Sequence, residues 1–260
     1  MSRTTLQRIR TPIYLLAASL LLSGQAIAQE DAPHWSVNSG IFSKYLGTIG
    51  GVFYDDPILV TDLTVSHGDY YAGIWNSTRL GSGKYGKTFG DEYDFYAGWS
   101  HDIGPVKYEI TGMYFLIADL AKLNDDLWVI DQKLSMPSCP VFQPYVKVRA
   151  FNTVGADSPT GGFFFWAGVN RSQPTGLMAH GQEVILDVEL ATAYSDGPLG
   201  KTPGSVFARL TLGTTIPLSE RISLKPSAVW QTPIGGQKDY AHPLTTKTEV
   251  VCGLSLNAVF

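Results

Sequence analysis

Cysteine, charge and long apolar runs are all scarce in this chain. Two cysteines among 260 residues supply no disulfide framework for a small stapled fold and no thiolate set at metal-binding spacing. Cys139, in a proline-flanked turn, and Cys252, in an alternating segment, are expected to be free thiols. Charged residues make up 16% of the sequence and hydrophobic ones 44%, against a usual charged share of about a quarter. This balance argues against wholesale disorder, and a mean hydropathy of +0.03 fits neither a polytopic helical membrane protein nor a typical soluble one. Helical periodicity is almost absent. Apolar surface must be buried without long apolar runs.

The single long apolar run is N-terminal. Arg3, Arg8 and Arg10 precede Ile13 to Leu22, and Ala26-Ile27-Ala28 follows, the pattern of a cleavable secretory signal peptide over residues 1–28. Its apolar core is too short to span ~30 Å of hydrocarbon. Cleavage after Ala28 removes three arginines and no acids, leaving 16 basic and 23 acidic residues in residues 29–260, a formal charge of −7. That excess of acid argues against a nucleic-acid partner.

From Trp35 onward, period-two alternation recurs in segments of about ten residues broken by Gly, Pro, Asp and Ser. Twelve strands are expected, at 35–45, 57–66, 69–78, 92–101, 105–116, 126–136, 141–151, 162–171, 182–194, 204–215, 221–231 and 247–260. Tight links alternate with longer ones, the pattern of an outer-membrane barrel with short periplasmic turns and long external loops. The link Ser172 to Gly181 breaks that rule. The predicted fold is all-β, a single transmembrane antiparallel up-and-down barrel with both termini on the periplasmic side.

The composition of the two faces decides what each meets. In the last segment Val250, Cys252, Leu254, Leu256, Ala258 and Phe260 share one face, with Glu249, Val251, Gly253, Ser255, Asn257 and Val259 on the other. Comparable splits set Val206, Ala208, Leu210 and Leu212 against Arg209 and Thr211. A soluble barrel with an apolar core would alternate in the same way. Aromatics favour lipid outside, because Trp35, Tyr70, Trp99 and Phe142 fall near the turn ends and Tyr45, Tyr93, Tyr114, Trp128, Tyr194 and Trp230 near the loop ends, as two interfacial girdles would. Pro144 and Pro226 fall within strands on the lipid face, where each forfeits a ladder hydrogen bond.

Twelve strands close at a backbone radius of roughly 11 to 12 Å, too wide to be filled by side chains alone. The charged inward positions are Asp62, Asp94, Lys107, Glu109, Asp131, Lys133, Lys147, Arg149, Asp187, Glu189, Arg209, Lys225 and Glu249, with Lys44 at the first loop end. They are the candidate pore-lining residues of a wet, charge-lined lumen, since rings of charged side chains bias which solutes pass. They can equally pair across strands: Asp131 with Lys147 or Arg149, and Asp187 or Glu189 with Arg209. Acids and bases are balanced, so no strong ion preference is expected.

Other motifs fall away. Gly81 to Thr88 fits the phosphate-loop pattern G-x-x-x-x-G-K-[ST], but a strand rather than a helix follows it and an exported protein meets little nucleoside triphosphate. His34, His67, His101, His180 and His242 never pair at metal spacing. Asp55-Asp56 and Asp125-Asp126 are turn formers rather than calcium ligands. No outward Ser has a His at its height, which argues against a membrane-embedded hydrolase. No catalytic residue, cofactor or metal is expected.

The segments Gly51-Val52-Phe53-Tyr54-Asp55-Asp56-Pro57, Tyr71 to Ser77, Tyr96 to His101 and Pro144 to Phe151, with the approach Gly253-Leu254-Ser255-Leu256 to Phe260, resemble porins of the TorF type over most of residues 29–260. The resemblance implies an outer-membrane barrel and porin-like passage, and carries over no catalytic motif. The expected function is passive diffusion of small hydrophilic solutes. The expected partners are outer-membrane lipid and, through the terminal strand ending at Phe260, the barrel-assembly machinery. A non-conducting barrel acting through its surface loops is the alternative from another class, and a lipid-modifying enzyme a third.

Overall fold

A computed structural model of the chain describes residues 32–81, 91–117, 127–153, 161–200, 203–235 and 246–260. The predicted signal peptide lies outside them, as does most of the phosphate-loop-like segment. The strands are β1 (His34–Phe42), β2 (Tyr45–Leu46), β3 (Val52–Tyr54), β4 (Ile58–His67), β5 (Tyr70–Arg79), β6 (Glu92–Ile103), β7 (Val106–Ile117), β8 (Leu127–Ser135), β9 (Gln143–Thr153), β10 (Gly162–Ala179), β11 (Gln182–Ser195), β12 (Gly204–Pro217), β13 (Ile222–Pro233) and β14 (Glu249–Val259). All but β2 and β3 form one closed antiparallel barrel of twelve strands, sealed where β1 pairs with both β14 and β4. Each corresponds to one of the twelve segments expected from alternation.

Alternation places polar and apolar groups on opposite surfaces because successive side chains point to opposite faces of a strand. On β8, Trp128, Ile130 and Leu134 are exposed outside, while Leu127, Val129 and Asp131 are buried inside. Val146, Phe163, Leu190, Leu212, Val250 and Leu254 continue the exposed apolar outer surface. Buried polar side chains include Ser77, Glu92, Asp131, Arg149, Ser195 and Gln231. A water-soluble barrel would have its polar groups outside; a surface this apolar belongs against hydrocarbon.

Three features depart from the sequence reading. First, the irregular link after Ser172 is strand. β10 continues to Ala179, and His180 and Gly181, at φ 48 and 74, make the turn. Two central residues with positive φ define the tight hairpin connection expected at this end. The pairing shifts between Pro174 and Met178, where Pro174 has no N–H to give and Gly176, at φ 78, takes the bulge.

Second, the two strand prolines cost little. The Pro144 carbonyl accepts the Met136 N–H at 3.0 Å, so its missing N–H also faces β8, just past the last β8–β9 pair at Ser135 and Tyr145. Pro226 pairs with Leu254 of β14, and the β12–β13 ladder skips Lys225 and Pro226 with no change of register. That is a gap rather than a bulge.

Third, the long first link folds as a small insert. β2 and β3 pair with each other, Gly51 bridges Thr246, and Ile49 is buried in an apolar cluster with Phe115, Val129, Phe151, Phe164 and Phe207. These wall residues face the interior, so the insert lies within the loop half of the barrel. Gly50, at φ +87, fits because Phe207 and Thr246 leave no room for a side chain. Val206, expected on the lipid face, is buried, because the β11–β12 register shifts beside it.

Candidate functional site in the barrel interior

Register brings charged side chains together at mid-height. Asp131 stands directly opposite Arg149, and Lys133 opposite Lys147. Arg149 donates from Nε and Nη2 to the two Asp131 carboxylate oxygens at 2.6 and 2.7 Å. Such a two-pronged, charge-assisted pair is stronger and more directional than a single contact. Lys147 lies 3.7 Å from the same carboxylate and 4.2 Å over the Trp166 ring, a cation–π arrangement. The like charge of Lys133 is balanced by Glu109 at 3.0 Å.

The second expected pairing does not form. Arg209 donates instead to the Gln231 side chain at 2.9 Å and the Gly47 carbonyl at 3.3 Å, with its guanidinium 4.2 Å over Phe207. Glu189 accepts from Tyr145 at 2.7 Å and Thr211 at 3.2 Å. Asp187 accepts from Ser172 and Thr215. The insert supplies a carbonyl acceptor that reaches Arg209, and local hydroxyls satisfy both acids.

The insert is tethered from several sides of the wall. Arg149 Nη1 donates to Thr48 at 3.0 Å, Gln231 to the Gly50 carbonyl at 2.7 Å, and Tyr45 to Glu92 at 2.5 Å. Lys44 bridges Glu249 at 2.7 Å and Asp55 at 2.9 Å. Its ammonium titrates above the usual lysine range, held charged mainly by the hydrogen bond to Glu249 against the opposing effect of burial. Tyr45, expected in the outer aromatic girdle, is turned inward, its ring 5.1 Å from Phe53 and 5.8 Å from Trp75. Sequence reasoning missed Thr48, Ile49 and Gln231; the only hint was the glycines at 47, 50 and 51 around a lone isoleucine.

The remaining candidates are distributed along the wall. Asp62 accepts from Tyr96 at 2.7 Å. Asp94 shares the wall beside Glu92, and its Oδ1 is buried without a hydrogen-bond partner among the described residues. Lys225 stands opposite the buried Ser255. Lys107 and Glu109 line a cavity of about 550 Å³ at the turn end, with Thr64, Ser66, Tyr71, Tyr96 and Ser100. Cys139 and Cys252 are both free thiols.

The interior therefore has two halves. The loop half holds the tethered insert and aromatic cluster; the turn half holds an open, polar cavity.

No protein-family profile matches this chain, and neither does any curated protein. Solved structures do resemble it. The NanC porin, 7% identical, aligns over 86% of this chain and 98% of its own with a TM-score of 0.52. An outer-membrane channel from Pseudomonas putida F1, 10% identical, aligns over 91% of this chain and 98% of its own with a TM-score of 0.51. At these identities the likeness is one of fold: the chain is a twelve-stranded transmembrane barrel of the architecture seen in outer-membrane porins and channels.

Proposed function

We propose that this protein is an outer-membrane, porin-like channel for passive diffusion of small hydrophilic solutes, narrowed by its own β2–β3 insert. The observation that carries this reading is the reversal of ordinary globular polarity: apolar side chains cover the outside, while ion pairs, hydroxyls and carboxylates face a twelve-stranded interior. The insert is attached through polar side chains and carbonyls, so narrowing comes with a hydrogen-bonding rim along which a hydrated solute can exchange its water. The charged inward residues bias passage, and Lys147, held to Asp131 by one long contact, does so more than the doubly bonded Arg149 beside it.

The porin architecture of the structural neighbours and the resemblance to TorF-type porins support this reading. So does the signal peptide pattern, which supports an outer-membrane location. Outer-membrane lipid is then the partner of the apolar belt, and the terminal strand ending at Phe260 is the contact for barrel assembly. No catalytic residue is assigned. Liposome swelling with solutes graded in size tests the proposal: uptake that falls with solute size is expected, and vesicles indifferent to the protein for every solute would end it.

A second reading has a specific observation in its favour. Ile49 seals against Phe164 and Phe207 in the loop half, and if the insert closes the interior the protein is a non-conducting barrel acting through its loops. The same vesicles separate the two.

A further inference from the structure

The turn-end cavity has an unusual floor. Tyr71 stands opposite Gly98, and Tyr96 opposite Gly73, across the β5–β6 ladder. A side chain at Gly98 would run into the Tyr71 ring and one at Gly73 into the Tyr96 ring. Each ring therefore passes over its partner glycine, and both residues line the cavity. The ring centres are 6.3 Å apart and the planes are inclined at 58°, so the two faces form a cradle. Their hydroxyls are fixed as well, Tyr71 with Thr111 and Tyr96 with Thr64 and Asp62. Two flat aromatic faces are thus held in place before any ligand arrives, which spares the ordering cost of binding.

Around this floor stand small hydroxyls and charged groups: Ser66, Ser100, Lys107 and Glu109. Carboxylates are in excess: Asp69, Asp102 and Glu109 line the cavity beside Lys107. Glu109 is paired with Lys133 at 3.0 Å, Asp102 stands opposite Lys107 in register, and Asp69 is bonded to His101 at 2.7 Å. A cavity of about 550 Å³ falls within the usual ~300–1,000 Å³ of ligand sites. Flat apolar faces, and carboxylates that accept hydrogen bonds from hydroxyls and repel anions, match one chemistry: a ring with C–H groups on its face and hydroxyls on its edge.

We propose that the Tyr71–Tyr96 floor is a binding site for neutral polyhydroxylated solutes of mono- to disaccharide size, poised at the turn end of the interior. The proposal deepens the channel reading by naming a solute class, and its test does not depend on conduction.

Isothermal titration of the full-length protein in detergent, with sucrose as the neutral probe and gluconate as the anionic one, decides it. Saturable sucrose binding is expected, weakened about ten-fold or more in Tyr71→Leu and Tyr96→Leu and kept in Tyr71→Phe, because the face rather than the hydroxyl makes the contact. Ser100→Trp, which fills the cavity and leaves both tyrosines in place, should abolish binding even if the leucine variants do not fold. Absence of saturable sucrose binding, gluconate binding as tight as sucrose, or sucrose binding unchanged in Ser100→Trp would each overturn the site. A barrel that binds sucrose but passes no solute retires the channel and leaves the site standing. One that conducts without binding sucrose does the reverse.

Discussion

Arg149 closes on Asp131 with two hydrogen bonds directly across the β8–β9 ladder, and its remaining nitrogen reaches Thr48 of the insert. One guanidinium thus joins the wall to the element that narrows it. Asp131→Asn leaves that guanidinium buried among Phe115, Phe151 and Trp166 without its counter-charge. Removing one partner of a buried pair costs about 3–5 kcal/mol, so unfolding in denaturant should begin at clearly lower concentration. The double variant Asp131→Leu, Arg149→Met should recover most of that loss, and a cycle of the four proteins measures the coupling.

Gln231 is fully buried and holds both Arg209 and the Gly50 carbonyl. Gln231→Leu keeps the volume but leaves a buried carbonyl and a guanidinium short of a partner, at a cost of about 1–3 kcal/mol. The insert should loosen before the barrel does. Limited proteolysis is expected to cut within residues 45–54 while the wall survives; uniform cutting, or none, would argue against selective release.

Lys147 has the longer contact to Asp131 and rests on Trp166, so its charge is less cancelled than that of Arg149. Lys147→Gln should move the reversal potential under a salt gradient toward cation preference. Arg149→Gln should chiefly destabilise instead.

Much of this was legible in residue order. Twelve strands could be read because lipid on one side and water or polar partners on the other impose a period of two on every long strand. Asp131 and Arg149 could be matched because they lie on consecutive strands. The insert could not, since strands of two and three residues carry no period and their partners are remote: Thr48 meets a residue 101 positions away and Gly50 one 181 away. Tyr45 was misplaced for the same reason, because it belongs to the insert and not to the wall. Arg209 departs from Glu189 because Gly47 and Gln231, invisible as a pair in the sequence, offer better-placed acceptors. The link Ser172 to Gly181 read as too long for a tight turn, yet a bulge absorbs Pro174 and Gly176 within one hairpin.

Lys44 makes one insert tether sensitive to alkali. Its raised pKa means the ion pair with Glu249 and Asp55 contributes fully below the lysine's unfolded value and fades as pH climbs through the higher folded one. Channel current noise should therefore be flat through neutral pH and grow only under strongly alkaline conditions. Lys44→Met should show that noise at neutral pH.

On the outer face, Leu190 and Leu254 are half exposed and lie well within their strands. Leu190→Arg should cost about 2–4 kcal/mol in lipid if that position lies near the bilayer midplane. Refolding yield into vesicles measures it, and an unchanged yield would remove Leu190 from the membrane belt.

Planar-bilayer recording, comparing the full-length protein with a variant in which Tyr45 to Tyr54 is replaced by a short Gly-Ser link, tests the central claim most directly. Discrete current steps are predicted for both, several-fold larger once the insert is gone. Silent membranes for both proteins over a wide voltage range would contradict the account, as would steps of equal size.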